Sequence, residues 1–201
     1  MIRDQGIIAG NVLDKYRTRN PISRLLVNRF LRTLGNLYLE VPASNALEVG
    51  CGEGDLCARL HALRPVPFVG TDVSERILDV ARARHPAIRF ERHDAAALGF
   101  ADRSFDLVVA CEVLEHLPDP GRALGEMARV ARRAVLLSVP REPLWRVLNV
   151  CRGAYLNSAG NTPGHLQHWS RTGFTRFVSG RLKVRRVAGS MPWTIILAEP
   201  A

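Results

Sequence analysis

The stretch ALEVGCGEGDL, residues 46–56, sets a largely apolar run against three glycines at alternate positions, Gly50, Gly52 and Gly54. Without Cβ atoms, such a loop either turns sharply or lets a ligand lie against bare backbone. The run ahead of it, residues 45–49, has the length and composition of a buried strand. A dinucleotide fingerprint would read G-x-G-x-x-G. This loop reads G-x-G-x-G and holds Asp55 where the third dinucleotide glycine would fall. An acid facing a pyrophosphate is unfavourable, so the loop suits a ligand without phosphates.

Working outward, PFVGTDV (67–73) predicts a second strand, and Ser74 is placed to cap a helix running to Arg84. Residues 88–94, 105–111 and 134–140 predict three more strands, with helices over 53–63 and 121–133. Toward the N-terminus, Asn20-Pro21 reads as an N-cap followed by proline at the first helical position. Ile22, Leu25, Leu26, Phe30, Leu34 and Leu37 then recur at helical spacing, predicting an amphipathic helix over 21–38. Strands alternating with helices predict an α/β fold: a Rossmann-like, doubly wound, mostly parallel sheet with helices on both faces.

After Pro140 the pattern changes. Pro143, Gly153, Gly160, Pro163 and Gly164 surround one short helix at 144–152, so residues 141–170 read as a lid or substrate insertion. A helix at 171–179 and two strands, 182–188 and 192–199, close the chain, which makes the C-terminal end of the sheet antiparallel. The expected organisation is one domain over 1–201: an N-terminal helical cap (1–40), a core (45–140), the lid (141–170), and the closing helix and strand pair (171–201).

No window reaches the length of uncharged apolar residues that a membrane span needs. The first residues hold early acids and no apolar segment of the secretory type. The four cysteines, Cys51, Cys57, Cys111 and Cys151, form no Cys-x-x-Cys pair and read as reduced thiols of a cytoplasmic protein. A net charge of +9 favours anionic partners such as RNA or phospholipid headgroups. Only Lys15 and Lys183 are lysines among 28 basic residues, however, and the arginines are scattered. A GC-rich genome produces that skew without any partner, so no nucleic-acid partner is expected. Monomer and homodimer are both compatible with the chain.

In an open parallel sheet, ligands bind beyond the carboxyl ends of the strands near the point where strand order reverses. Asp72 ends the second strand 18 residues after Gly54, where an acid can accept both hydroxyls of a ribose. The alternative is an acid that favours the dipole of the helix behind it. Asp94, ending the third strand, can accept from an adenine amine, and Cys111-Glu112 ends the fourth. All of these face one expected cleft.

LEVGCGEGDL, VGTDVS, RHDAAALGFADRSFDLVVACEVLEHLPDP and AVLLSVP, in this order, resemble the class I S-adenosylmethionine (SAM) dependent methyltransferases. Within these the chain is similar to the type 11 group, which includes ubiquinone-biosynthesis O-methyltransferases. The resemblance covers residues 45–140 closely and the remainder weakly. It implies SAM as cofactor and S-adenosylhomocysteine as product. It also implies backbone contact from Gly50, Cys51 and Gly52 to the methionine part, with Glu48 organising the loop and the cofactor's amino group. Asp72 would hold the ribose and Val73 lie against the adenine, which Asp94 and Ala95 would flank. Cys111 would line the cleft under the sulfonium, and Tyr16 and Arg17 would close over the cofactor carboxylate.

A sulfonium makes its methyl group electrophilic, so such an enzyme need only bring a nucleophile in line and exclude water, with a nearby base where the nucleophile carries a proton. The candidate catalytic residues are Glu115 and His116 of EVLEHL (112–117) and His165 of GHLQHW (164–169). His116 is alternatively a brace for the loop before Pro118. Glu112, Glu115, His116 and His165 are also similar to the divalent-metal set of small-RNA 3′-terminal 2′-O-methyltransferases, although metal-free members carry the same phrase. The leading expectation is methyl transfer to an oxygen or nitrogen of a small, partly hydrophobic molecule of quinone, polyketide or secondary-metabolite type. The apolar lid residues Leu144, Trp145, Val147, Leu148, Tyr155 and Leu156 fit such an acceptor. An RNA-directed methyltransferase and a non-catalytic SAM-binding protein on the same fold are the alternatives.

Overall fold

A computed structural model of the chain describes residues 2–4, 7–9, 20–151 and 153–200. The first described elements, β1 (Ile2–Asp4) and β2 (Ile7–Ala9), pair antiparallel with Ile2 opposite Ala9. This pair was not anticipated in a purely helical N-terminal cap. Helix α1 (Pro21–Glu40) starts where expected. The Asn20 side-chain oxygen accepts from the Ile22 and Ser23 amides at 3.0 and 3.1 Å, with Pro21 at the first helical position.

Then follow β3 (Ala46–Val49), α2 (Asp55–Leu63), β4 (Phe68–Asp72), α3 (Glu75–Arg84), β5 (Arg89–Arg92), β6 (Phe105–Cys111), α4 (Pro120–Val130) and β7 (Ala131–Pro140). After them come α5 (Leu144–Cys151), α6 (Arg171–Ser179), β8 (Leu182–Ser190) and β9 (Trp193–Pro200). The seven-stranded sheet has the order β5-β4-β3-β6-β7-β9-β8. Strands β3 to β7 are parallel, β9 runs antiparallel to β7, and β8 pairs antiparallel with β9. Strand order reverses between β3 and β6, so the expected crevice lies beyond the carboxyl ends of these two strands.

Two apolar layers flank the sheet. Phe30, Leu34 and Tyr38 of α1 and Leu56, Cys57 and Leu60 of α2 pack with Leu107, Val109 and Trp193 on one face. On the other, Ala123, Leu124 and Met127 of α4 and Phe174 and Val178 of α6 pack with Leu47, Val108 and Leu137. β8 is an edge strand whose Lys183, Arg185 and Arg186 are exposed, a charge pattern that discourages pairing with another sheet.

One boundary departs from the sequence reading. The helix expected to end at residue 133 ends at Val130, and β7 takes up residues 131–133. The register of β6 with β7 jumps from Phe105–Ala131 to Leu107–Ala134, so two residues of β7 oppose one of β6. This bulge turns Arg132 and Arg133 together onto Asp106, at 3.0 and 3.3 Å. A helical propensity for ARR was overridden by that buried acid. Asp106, 3% exposed at its side chain, also accepts from the Ser44 amide at 2.8 Å. Burial raises its pKa, but the Ser44 amide and the two guanidinium groups more than offset this and hold the carboxyl below its usual range. Asp106→Ala strips three donors of their acceptor. It is expected to cost about 2–4 kcal/mol, read as a lower midpoint in urea unfolding with an unchanged slope.

Candidate functional site

The loop after β3 is folded across the end of β4. The Cys51 amide donates to the Thr71 carbonyl at 2.8 Å, and the Gly52 amide donates to Asp72 Oδ2 at 3.0 Å. Each glycine of the opening stretch serves a different need. A Cβ at Gly50 would stand 2.5 Å from Val113 Cγ2, and one at Gly54 would stand 2.7 Å from Phe90 Cζ. Those two permit close packing of the loop. Gly52, with φ +53°, has nothing within 4 Å of a built Cβ and fronts open space. The backbone open to the crevice is therefore centred on Gly52. Asp55 turns the other way, onto His85 Nε2 at 3.3 Å and Arg84 at 3.5 Å, so its carboxylate ties α2 to the end of α3.

Asp72 is half-buried, and its second oxygen accepts from the Ser74 amide at 3.0 Å. Burial raises its pKa against the pull of the Ser74, Gly52 and Val73 amides. Each carboxylate oxygen has more than one lone pair, so two amide contacts leave acceptor capacity toward the cleft. Glu48, buried beneath the loop, lies close enough to Cys51 and Cys57 to raise both thiols. For Cys51 the hydrogen bond with Cys57 acts downward, but burial, Glu48 and Asp72 prevail; for Cys57 burial dominates. Both stay protonated, which makes them packing groups and not nucleophiles.

Val73 is exposed at the end of β4, and Asp94 is exposed with its Oδ1 accepting from the Ala96 amide at 2.8 Å. Ala95 packs against the core. The loop carrying these residues is held from below by Arg129. Its guanidinium donates to the Phe100 and Leu98 carbonyls at 2.7 and 2.8 Å, and to Asp102 and Glu126. Cys111 is buried at the end of β6. The next residue, Glu112, adopts φ +62°, an unfavourable backbone region for a side chain with a Cβ. Its carboxylate accepts from Trp193 Nε1 at 2.8 Å.

A short 3-10 turn, Leu114–His116, stands over these strand ends. Residues 164–167 are stitched to it: the Glu115 carbonyl accepts from the Leu166 and Gln167 amides at 2.8 and 3.0 Å. His116 Nδ1 lies 3.0 Å from the Gly164 carbonyl. A carbonyl only accepts, so Nδ1 carries the proton and Nε2 is the basic nitrogen. His165 is buried edge-on to His116, with ring centroids 4.9 Å apart, and stacks on Trp145. Glu115, His116 and His165 thus converge, one ligand-type atom of each lying within 4.8 Å of the others. Together they offer a carboxylate oxygen and two imidazole nitrogens, a set suited to proton handling or to a divalent metal. Glu112 stands outside this cluster, its carboxylate turned to Trp193 and Ser138. The four-residue metal set therefore reduces to three. Tyr16 and Arg17 lie outside the described residues.

The sequence reading named Trp145 only as one of the apolar lid residues, and it missed Thr162 and Trp193. Trp145 Nε1 donates to Thr162 Oγ1 at 2.9 Å, and the Trp145 ring lies 5.7 Å from that of Trp193. Their only sequence signal is that they are large aromatics in or after the lid; the pairing of Pro140 with Trp193 is what brings them to the crevice.

Burial, followed by the neighbouring His116 and His168, pulls the His165 pKa down from 6.5 to about 3. The unfolded chain takes up this proton near pH 6.5 and the folded chain only near about 3, so the unfolded state binds more protons between those values. Stability therefore rises with pH through that window and is fully present above it. The melting temperature is expected to fall on acidification from neutrality. His165→Asn should flatten that fall in circular-dichroism melts, and an unchanged slope would count against a buried neutral imidazole.

Comparison with known proteins agrees with this geometry. The family described as a methyltransferase domain matches residues 47–139. A phthiotriol/phenolphthiotriol dimycocerosates methyltransferase of Mycobacterium ulcerans is 34% identical over 109 residues, 53% of this chain and 40% of that protein. A demethylmenaquinone methyltransferase of Renibacterium salmoninarum is 33% identical over 123 residues, 61% of this chain and 52% of that protein. The chain thus spans about half the length, or less, of these curated relatives. Magnesium protoporphyrin IX methyltransferase from Synechocystis, solved with S-adenosylhomocysteine bound, superposes with a TM-score of 0.66 at 18% identity, covering 94% of each chain. At that identity the likeness is one of fold. Residues 47–139 thus match a methyltransferase domain, and the strand order and glycine turn around them are those that the resemblance of the sequence implies.

Proposed function

We propose that the protein transfers a methyl group from SAM to an oxygen or nitrogen of a small, partly hydrophobic acceptor, releasing S-adenosylhomocysteine. The observation that carries this reading is the pairing of Gly52 with Asp72 at the strand-order reversal, on the same crevice as Glu115, His116 and His165. In it, bare backbone at Gly50–Gly52 and the acid Glu48 receive the methionine part. Asp72 accepts from the ribose, Val73, Asp94 and Ala95 border the adenine, and Cys111 lies beneath the sulfonium. Bound SAM supplies an electrophilic methyl group. The protein's own work is to align the acceptor, exclude water, and remove a proton at His116 Nε2.

His165, held neutral by burial, is a poor base at neutral pH and positions the acceptor or His116. Relatives named for demethylmenaquinone and for phthiotriol dimycocerosates support an acceptor with extensive apolar area. The four free cysteines fit a reducing, cytoplasmic setting. Asp72→Ala is expected to weaken SAM binding by ~100-fold or more in calorimetry, since two charge-assisted hydrogen bonds to the ligand are lost, and to lower the melting temperature because the Gly52 and Ser74 amides lose their acceptor. Unchanged affinity would remove the ribose assignment.

The convergence of Glu115, His116 and His165 supports a second reading, in which a divalent metal held there binds the acceptor's oxygen. In the acid–base reading, His116→Ala lowers kcat by ~10²–10⁴ with SAM affinity retained, and EDTA has no effect. In the metal reading, EDTA stops transfer and added Mg²⁺ or Zn²⁺ restores it. An RNA acceptor would instead bring a steep salt dependence of RNA binding. A protein that only binds SAM would show no turnover with any acceptor.

A further inference from the structure

Helix α5 turns Trp145 and Asn149 inward and leaves an apolar face in water. Its polar residue Asn149 is buried at 2% exposure, while Val147, Val150 and Leu148 are 52%, 43% and 37% exposed. This orientation is fixed from inside. Asn149 Nδ2 donates to the Gly160 carbonyl at 2.8 Å and to Thr162 Oγ1 at 3.2 Å. Arg146 Nε donates to the Ala159 carbonyl at 3.1 Å, and the Gly160 backbone lies so close that a Cβ there would sit 2.3 Å from the Arg146 carbonyl oxygen. The helix cannot roll its valines and leucine inward without abandoning these bonds. Leu156 and Leu166 of the same lid are exposed as well.

Charge is distributed to match. Between Glu142 and Glu199 the chain has no aspartate or glutamate, yet it carries eight arginines and lysines. Most of the net +9 therefore belongs to the last third of the chain, which includes the lid. The ring row Phe30–Trp193–Trp145, with centroids 4.9 and 5.7 Å apart, ties α5 to α1. The first turns of α1 likewise expose Ile22 and Leu25 beside Arg24 and Arg29.

We infer that the outward face of α5 docks on an anionic lipid surface, to which the net positive charge of the last third of the chain attracts it. An exposed apolar face is unfavourable in water and favourable at the headgroup boundary, where apolar insertion and attraction to anionic lipid add. A second copy of the chain is a poorer occupant, because it would bring the same net positive charge. No helix among the described residues is long and apolar enough to cross a membrane, so this contact is peripheral. It stands on the lid and its charge, independently of the methyl-transfer reading.

The test is co-sedimentation of the full chain with phosphatidylcholine vesicles, with and without about 30 mol% phosphatidylglycerol. Binding is expected to be at least ~10-fold stronger to the anionic vesicles and to weaken at about 0.5 M NaCl. The double variant Leu148→Ser, Val150→Ser alters exposed positions only, keeps the net charge and should melt like the parent, yet lose vesicle binding by about tenfold or more. Equal binding by the variant would show that charge alone acts and overturn the role of α5, as would absence of binding by the parent. A dimer in light scattering that the variant dissociates would assign the face to a second copy and overturn the proposal equally.

Discussion

The Gly52 amide donating to Asp72 is the contact on which the crevice depends. With the Cys51 amide on the Thr71 carbonyl, it bends the chain leaving β3 across the end of β4. That bend exposes backbone where strand order reverses, and it leaves the carboxylate of Asp72 oriented from two sides, by Gly52 and by Ser74. An acid so fixed does not have to reorganise when a ligand arrives. Packing enforces the bend: Val113 fills the space a Cβ of Gly50 would need, and Phe90 fills that of Gly54. The loop thus rests on the 3-10 turn that carries Glu115 and His116 and on β5, so both halves of the crevice share one support.

The lid is attached to the same turn by its backbone. Two amides of residues 166 and 167 converge on the Glu115 carbonyl, and His116 holds the Gly164 carbonyl. These bonds bring His165 edge-on to His116 and leave it buried and neutral. The lid's other end is held by Asn149 and Trp145 through Thr162. A segment rich in proline and glycine, which reads as an irregular insertion, therefore turns Asn149, Thr162 and His165 inward and leaves Val147, Leu148, Val150, Leu156 and Leu166 exposed.

The sequence by itself determined the sheet and the side on which its crevice opens. Alternation of short apolar runs with capped amphipathic helices leads to such a sheet, and Asn20, Ser74, Asp72 and the glycine run announce their places at caps, a strand end and a turn by local spacing, since these features are governed by neighbours a few residues away. The tertiary structure alone decided the rest, because it depends on contacts between distant residues. Asp106 pulled Arg132 and Arg133 out of a helix and into a bulged strand. Trp193, set opposite Pro140 by an antiparallel register, claimed Glu112 and removed it from the histidine cluster. Asn149 turned inward to two partners more than ten residues away, which a helical wheel, knowing only the helix's own period, assigns to the opposite face.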